Sequence, residues 1–415
     1  MKEMSALTCN FVQDMFLRYY TECFHEVRVP SSFERREFAA LLFRNRMMVR
    51  HKSFISVGEL RNFLLADIPS DVYYSSAYYE RPGAAEMSAK GWIGADLIFD
   101  IDADHIPTSC DRTHDEWVCE KCGFSGKGIT PEKCPVCGGE KFDENTWLCE
   151  VCLDSAKSET IKLLGLLTDD FGIADEKIHV FFSGHRGYHV HVTDEALRSI
   201  DTLGRKEIVD YVCALGFDAV LQKVDDRNMQ SLSIEDCGWR GRVARGIHEF
   251  VLNAKPTDYE ATGLGRNIGK IIEKNKDSLL KNLEGRRNPK KLKGLGPETW
   301  RKIAEYTVGN KAVHIDTVVT TDIHRLIRLT GTLHSKTGLK KVEFPASKIR
   351  EFDPFTSAIA FKEGTATVSV IRAPRFRIGD QTYGPYMNEK VKLPTAAAML
   401  LLCKKRAEVA AQNVQ

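Results

Sequence analysis

Apolar positions along this chain follow two periods, and the periods divide it into helices and strands. Over residues 7–25 (LTCNFVQDMFLRYYTECFH) apolar side chains recur every three to four places, which predicts a surface helix. The same spacing runs through CLDSAKSETIKLLGLLTDDFG and predicts a helix that ends at Gly172, and PTAAAMLLLCKKRAEVA predicts an amphipathic or buried helix. The stretch Asp96 to Asp104 (DLIFDIDAD) has period two instead. Leu97, Phe99 and Ile101 fall on one face of the strand, and Asp100, Asp102 and, if the strand continues, Asp104 fall on the other. KIHVFFSGHRGYHVHVTD predicts a strand, a glycine-rich turn and a returning strand, with His189 and His191 on one face. Residues 313–319 predict a further strand with Asp316 inside it. Thr320 or Thr321 then caps a short helix carrying His324, Arg325 and Arg328, before a loop with His334 and Lys336. Residues 196–310 read as mainly helical. GLGRNIG within them is no dinucleotide fingerprint, because no strand precedes it and its last spacing is one residue too long.

Composition changes this picture little. With 415 residues, 43% hydrophobic and 28% charged, the chain has the balance of a globular protein of two or three domains. A formal charge of +2 excludes a polycation. Between Lys270 and Lys302, however, eleven Lys/Arg face four Asp/Glu. That segment is either a solvated helical face or a contact for nucleic-acid phosphates, the turn with Arg286, Arg287, Lys290 and Lys291 above all. There is no apolar run near 18 residues and no apolar signal-peptide core, so the expectation is an intracellular, cytoplasmic chain with no membrane partner.

Three groups of residues carry candidate chemistry. Carboxylates two apart on a strand lie about 6.6 Å apart, and their repulsion is relieved by a divalent cation between them. Asp316 is the natural third ligand to a metal pair anchored by Asp100 and Asp102. The turn Gly184–Gly187 brings Ser183, Arg186 and His189 toward one place, where a forked guanidinium and open backbone N–H groups suit a phosphate; an exposed hairpin with polar tips is the alternative. Seven of the twelve cysteines lie between Cys110 and Cys152. Cys119, Cys122, Cys134 and Cys137 have the paired spacing of a zinc ribbon, strong evidence for tetrahedral Zn²⁺ rather than disulfides. Cys149 and Cys152 need partners on the far side of that ribbon, where Cys110 and His114 stand. A second site nested around the first results, unless one pair is a free dithiol or the ligands are shuffled.

Taken in order, DIDAD, the cysteine module ending in CEVCLDSAK, SGHRGYHVHV and HIDTVVTTDIHRLIRLTGTLHSKTG resemble the small catalytic subunit of archaeal and eukaryotic DNA primases, nearest the archaeal branch, over nearly the whole chain. The resemblance implies an α+β, mixed α/β primase-polymerase core with a β-sheet active site, an inserted zinc-binding module and a mainly helical subdomain. On it, residues 1–198 form the first part of the catalytic core, with the zinc module at 105–153; 199–310 form a basic helical insertion, 311–390 the second part of the core, and 391–415 a C-terminal helix. It implies Mg²⁺ or Mn²⁺ on Asp100, Asp102 and Asp316. It implies that Ser183, Arg186, His189, Arg328 and His334, with Arg50 matched less securely, hold the triphosphate of an incoming nucleotide. It places a zinc knuckle on Cys110, His114, Cys149 and Cys152. The Cys119 to Cys137 ribbon inside that knuckle departs from the family pattern. The implied activity is template-directed primer synthesis and extension on single-stranded DNA from nucleoside triphosphates, in a heterodimer with a primase large subunit. A primase-polymerase of end joining or repair, and a non-catalytic zinc adaptor that binds nucleic acid, are the competing readings.

Overall fold

Period-two segments become antiparallel strands and period-3.6 segments become helices in the computed structural model, which describes residues 4–43, 46–219, 232–284 and 294–410. The basic turn at Arg286, Arg287, Lys290 and Lys291 lies outside the described residues. The chain divides into two units, each interrupted in sequence. One comprises Met1–Ile161, Asp175–Lys206 and Ile315–Gln415; the other comprises Lys162–Ala174 and Glu207–His314. The architecture is mixed α/β, with several small antiparallel sheets and the helices around them.

Two four-stranded sheets organise the first unit. In one, the order is Val342–Phe344, Ile178–Phe182, Gly187–Val192, Leu97–Asp102. Its central hairpin is the expected one, with Val180 opposite Val190 and Phe182 opposite Tyr188. The returning strand then pairs with the acidic strand, and the register sets His189 opposite Asp100 and Gly187 opposite Asp102. Only glycine fits at 187, because a Cβ there would run into the Ile101 carbonyl oxygen and come within 3.0 Å of Asp102 Cα. In the other sheet the order is Leu326–Arg328, Pro69–Ser75, Phe38–Leu42, Met48–Lys52. A three-stranded sheet, Tyr386–Pro394, Thr365–Ala373, Ala407–Val409, lies later in the chain.

The helix Ala6–Glu22 buries Val12, Phe16, Tyr19 and Tyr20 on one face, and Ser5 caps it by accepting from the Thr8 N–H. The helix Thr395–Cys403 is apolar all round and buried from Ala397 to Cys403, which is why it shows no amphipathic stripe. The strand Ala407–Val409 after it escaped the sequence reading, since its partner Val368–Val370 lies far back in the chain. The second unit is mainly helical. Its helices Gly238–Asn253, Lys276–Leu283 and Pro297–Lys311 close around Val243, Ile247, Leu279, Leu283, Trp300 and Ile303.

Three local expectations are corrected. Residues 313–319 are not a strand: Asp316 accepts from the N–H groups of Val318 and Val319 and starts the short helix Thr317–Thr321. An N-cap aspartate there outweighs the β-branched run TVVTT. Arg328, expected on a helix, lies on the strand Leu326–Arg328, paired with Tyr73–Ser75. The acidic strand stops at Asp102, whose Oδ1 accepts from the Asp104 N–H at 3.1 Å and turns the chain, so Asp104 leaves the shared face.

Candidate active site and metal-binding clusters

A cleft of about 180 Å³ opens at the ends of these strands in the first unit. Asp100, Asp102, Ser183, His189, Arg328 and His334 line it, together with Arg325 and His185, which sequence reasoning did not assign to it. Asp316 is brought beside Asp100 by the helix it caps: its N–H donates to the Asp100 carbonyl at 2.8 Å. Burial first, then the charges of Asp102 and Asp316, push the Asp100 carboxyl up to about 7. Such repulsion is what a divalent cation relieves, so the three carboxylates fit one.

The cationic wall of the cleft is rigid. Arg328 donates from Nη1 to Asp71 at 2.6 Å and to the Leu333 carbonyl at 3.0 Å, with its guanidinium over the Tyr73 ring. The His334 ring stacks on His185, 5.0 Å between centroids. His189 Nε2 stands 3.5 Å from Asp100. Burial, and after it the neighbouring cations, hold His185, His189 and His334 well below the ordinary imidazole range, so all three are neutral. Under the cleft, Lys341 is pulled down to about 7 by burial and by Arg328, and it donates to the Arg328 carbonyl. No sequence pattern marks Lys341, because its environment comes from strands distant in the chain.

Not every expected residue joins this group. Ser183 Oγ accepts from the N–H groups of His185 and Gly187, both at 3.2 Å, so those two are not the open anion nest that the turn suggests. Arg50 does not line the cleft. It sits on the strand Met48–Lys52, at the opposite edge of its sheet from Arg328, and donates to Glu37 at 3.1 Å. Arg186 also turns away, fully buried, with Nη1 2.6 Å from Asp104 and 2.8 Å from Asp115.

Two four-residue clusters can each hold a tetrahedral metal ion. Ligand atoms of Cys110, His114, Cys149 and Cys152 lie within 4.8 Å of one another, and so do those of Cys119, Cys122, Cys134 and Cys137. Sulfur separations are 3.5 Å for Cys110 and Cys152, 3.7 Å for Cys110 and Cys149, and 3.6 Å for Cys119 and Cys137. A disulfide needs about 2.05 Å, while metal–sulfur bonds of about 2.3 Å set tetrahedral edges of about 3.8 Å. His114 turns Nε2 toward Cys152 at 3.6 Å and is held by Asp115, 2.6 Å from Nδ1, the usual brace of a ligating imidazole. A third group, Asp102, Asp104 and His185, lies within the same distance. Two of its three members are already engaged, Asp104 by Arg186 and His185 Nε2 by Lys404 at 2.7 Å. Among the described residues no helix is long and apolar enough to cross a membrane.

Comparison with known proteins matches residues 139–345 to the family described as the DNA primase small subunit. The chain is 32% identical over 410 residues to the DNA primase small subunit PriS of Nitrosopumilus maritimus, covering 98% of this chain and 100% of that protein. It is 33% identical over 428 residues to the PriS of Methanococcoides burtonii, covering 98% and 99%. It is also 33% identical over 401 residues to that of Archaeoglobus fulgidus, covering 96% and 98%.

Proposed function

Because the chain belongs to the DNA primase small-subunit family, we propose that it is the catalytic subunit of a primase, joining nucleoside triphosphates on a single-stranded DNA template and extending the product, in a heterodimer with a primase large subunit. The observation that carries this reading is the convergence of Asp100, Asp102 and Asp316 beside a cleft lined with Ser183, His189, Arg325, Arg328 and His334. Asp100, Asp102 and Asp316 would hold Mg²⁺ or Mn²⁺, which would supply Lewis acidity to the attacking hydroxyl and positive charge to the leaving pyrophosphate.

The protein's own groups supply the rest. Ligand pockets commonly run from about 300 to 1,000 Å³, and this cleft is smaller, so it takes the triphosphate while sugar and base lie toward the template. Arg325 and Arg328 give fixed positive charge. Arg328 reaches the phosphates with the edge of its guanidinium turned away from Asp71. His189 and His334 are neutral before a nucleotide arrives; phosphate charge beside them favours the imidazolium, so each takes up a proton and donates to a phosphate oxygen. The two cysteine clusters bind Zn²⁺, and with four protein ligands each they are structural.

Incorporation of labelled nucleotide on an unprimed single-stranded template, by this chain with a large subunit, tests the proposal. Short products are expected from the native chain. Asp100→Asn and Asp102→Asn should lose about a hundredfold or more of the rate while still unfolding in one cooperative thermal transition. Near-native incorporation by both variants, or none by the native chain, overturns the reading and leaves a zinc-containing nucleic-acid adaptor.

A further inference from the structure

Arg186 stands between the turn after Asp102 and the Cys110/His114/Cys149/Cys152 cluster, and it does not line the cleft. Its carbonyl accepts from the Ala103 N–H at 3.2 Å, and its guanidinium binds Asp104, the residue whose own N–H holds Asp102 Oδ1. On its other side the same Nη1 binds Asp115 Oδ2. The remaining oxygen of Asp115 meets His114 Nδ1 at 2.6 Å and the Trp147 N–H at 2.9 Å. An unbroken run of contacts thus leads from the ligand His114 through Asp115, Arg186 and Asp104 to the ligand Asp102. Burial works against the charge of Arg186, but the two carboxylates outweigh it and keep the guanidinium ionised.

A buried cation between two carboxylates is a costly way to gain stability alone, since apolar side chains of like volume do as well. What it supplies is a fixed distance: one guanidinium nitrogen held by both carboxylates sets how far the turn after Asp102 stands from the cysteine cluster. We propose that Arg186 is a positioning residue, a strut through which the Cys110/His114/Cys149/Cys152 site, when loaded, holds Asp102 in place for the catalytic cation. The inference rests on the reading of Asp102 as a metal ligand. It assigns Arg186 to the carboxylates rather than to the nucleotide's triphosphate. Zinc in the module then governs the catalytic cation at a distance, without touching substrate.

Binding of Mn²⁺ to the zinc-loaded full chain, followed by the electron paramagnetic resonance of the free ion, reads this coupling without catalysis. Arg186→Lys keeps the charge on a side chain one atom shorter, which stops short of the place where Nη1 meets both carboxylates; Asp115→Asn and Asp104→Asn weaken the strut from either end. Each should weaken Mn²⁺ binding about tenfold, the usual effect of losing a brace behind a metal ligand. On a primed template kcat should fall in step while KM for nucleotide stays within about twofold. The Arg186→Lys/Asp115→Asn double variant should be no worse than the poorer single one, because both cut the same link. Unchanged Mn²⁺ affinity in Arg186→Lys overturns the strut, and so does a raised KM with kcat intact, which gives Arg186 to the triphosphate. Should Asp115→Asn fail to fold, Arg186→Lys and Asp104→Asn carry the test from the other side. A native chain that binds Mn²⁺ in this coupled way yet makes no product would overturn the proposed activity and leave the strut standing.

Discussion

A single carboxyl group, that of Asp100, shows how charge crowding at the cleft becomes measurable. In an unfolded chain an aspartate titrates near about 3.9; in the folded protein burial, Asp102 and Asp316 raise this one to about 7. The raised value means that the native state keeps the proton longer. This group's contribution to stability is therefore fully present below about pH 4 and is lost as pH rises through about 7. In metal-free buffer the thermal midpoint of the native chain, measured relative to Asp100→Asn, should fall between pH 5 and pH 7.5, and added Mn²⁺ should abolish the fall. Parallel curves for the two proteins would show that the carboxylates do not strain one another. That Asp100 and Asp102 share one face of a strand was legible in the sequence because a strand's period is fixed and needs no knowledge of neighbours. Arg50 and Arg186 were not, because a cation's carboxylate is chosen by folding: Glu37 is 13 residues from Arg50, and Asp115 is 71 from Arg186.

Among the elements, the hairpin Ile178–Phe182 and Gly187–Val192 does most to shape the cleft, and one glycine lets it close. Gly187→Ala should force the hairpin off the acidic strand at Asp102, costing about 1–3 kcal/mol of stability and lowering activity more than that loss explains. Gly172 offers the contrast. Its φ of +65° strains any side chain, but nothing lies within 4 Å of a Cβ there, so Gly172→Ala should cost about 1 kcal/mol and leave activity untouched. Urea unfolding and rate measurements on both variants check the difference. Equal losses of activity would remove the special place of Gly187. Such hairpins announce themselves by alternation and a glycine-rich turn. The helix Thr317–Thr321 did not, since TVVTT has strand propensity and the N-cap that overrides it is a residue whose apparent task was metal binding.

At the scale of the whole molecule, the cysteine module ties residue 110 to residue 152, and its inner cluster spans only 119 to 137. Metal analysis should find two zinc ions per chain. Cys149→Ser should lower the thermal midpoint more than Cys134→Ser, because the outer ligands close the base of the module and the inner ones fold its tip. One zinc per chain, or equal losses, would count against this nesting. The helical, basic character of the middle of the chain was visible in composition. The joining of strands across it was not, because pairing partners such as Tyr73 and Arg328 carry no mark of each other. That long-range pairing bears on how the protein is made. A ribosome delivers Asp100 and Asp102 early, yet Asp316, Arg328 and His334 emerge only after the helical unit. The Thr8 hydroxyl, near the start of the first helix, still waits for the Val409 N–H, 3.0 Å away in the finished protein. A growing chain thus carries half a cleft, with crowded carboxylates and unpaired strand edges, until residues 316–334 emerge. Edges of that kind are prone to aggregate until their partners arrive, and the cleft is complete only once His334 has joined the strands made before the helical unit.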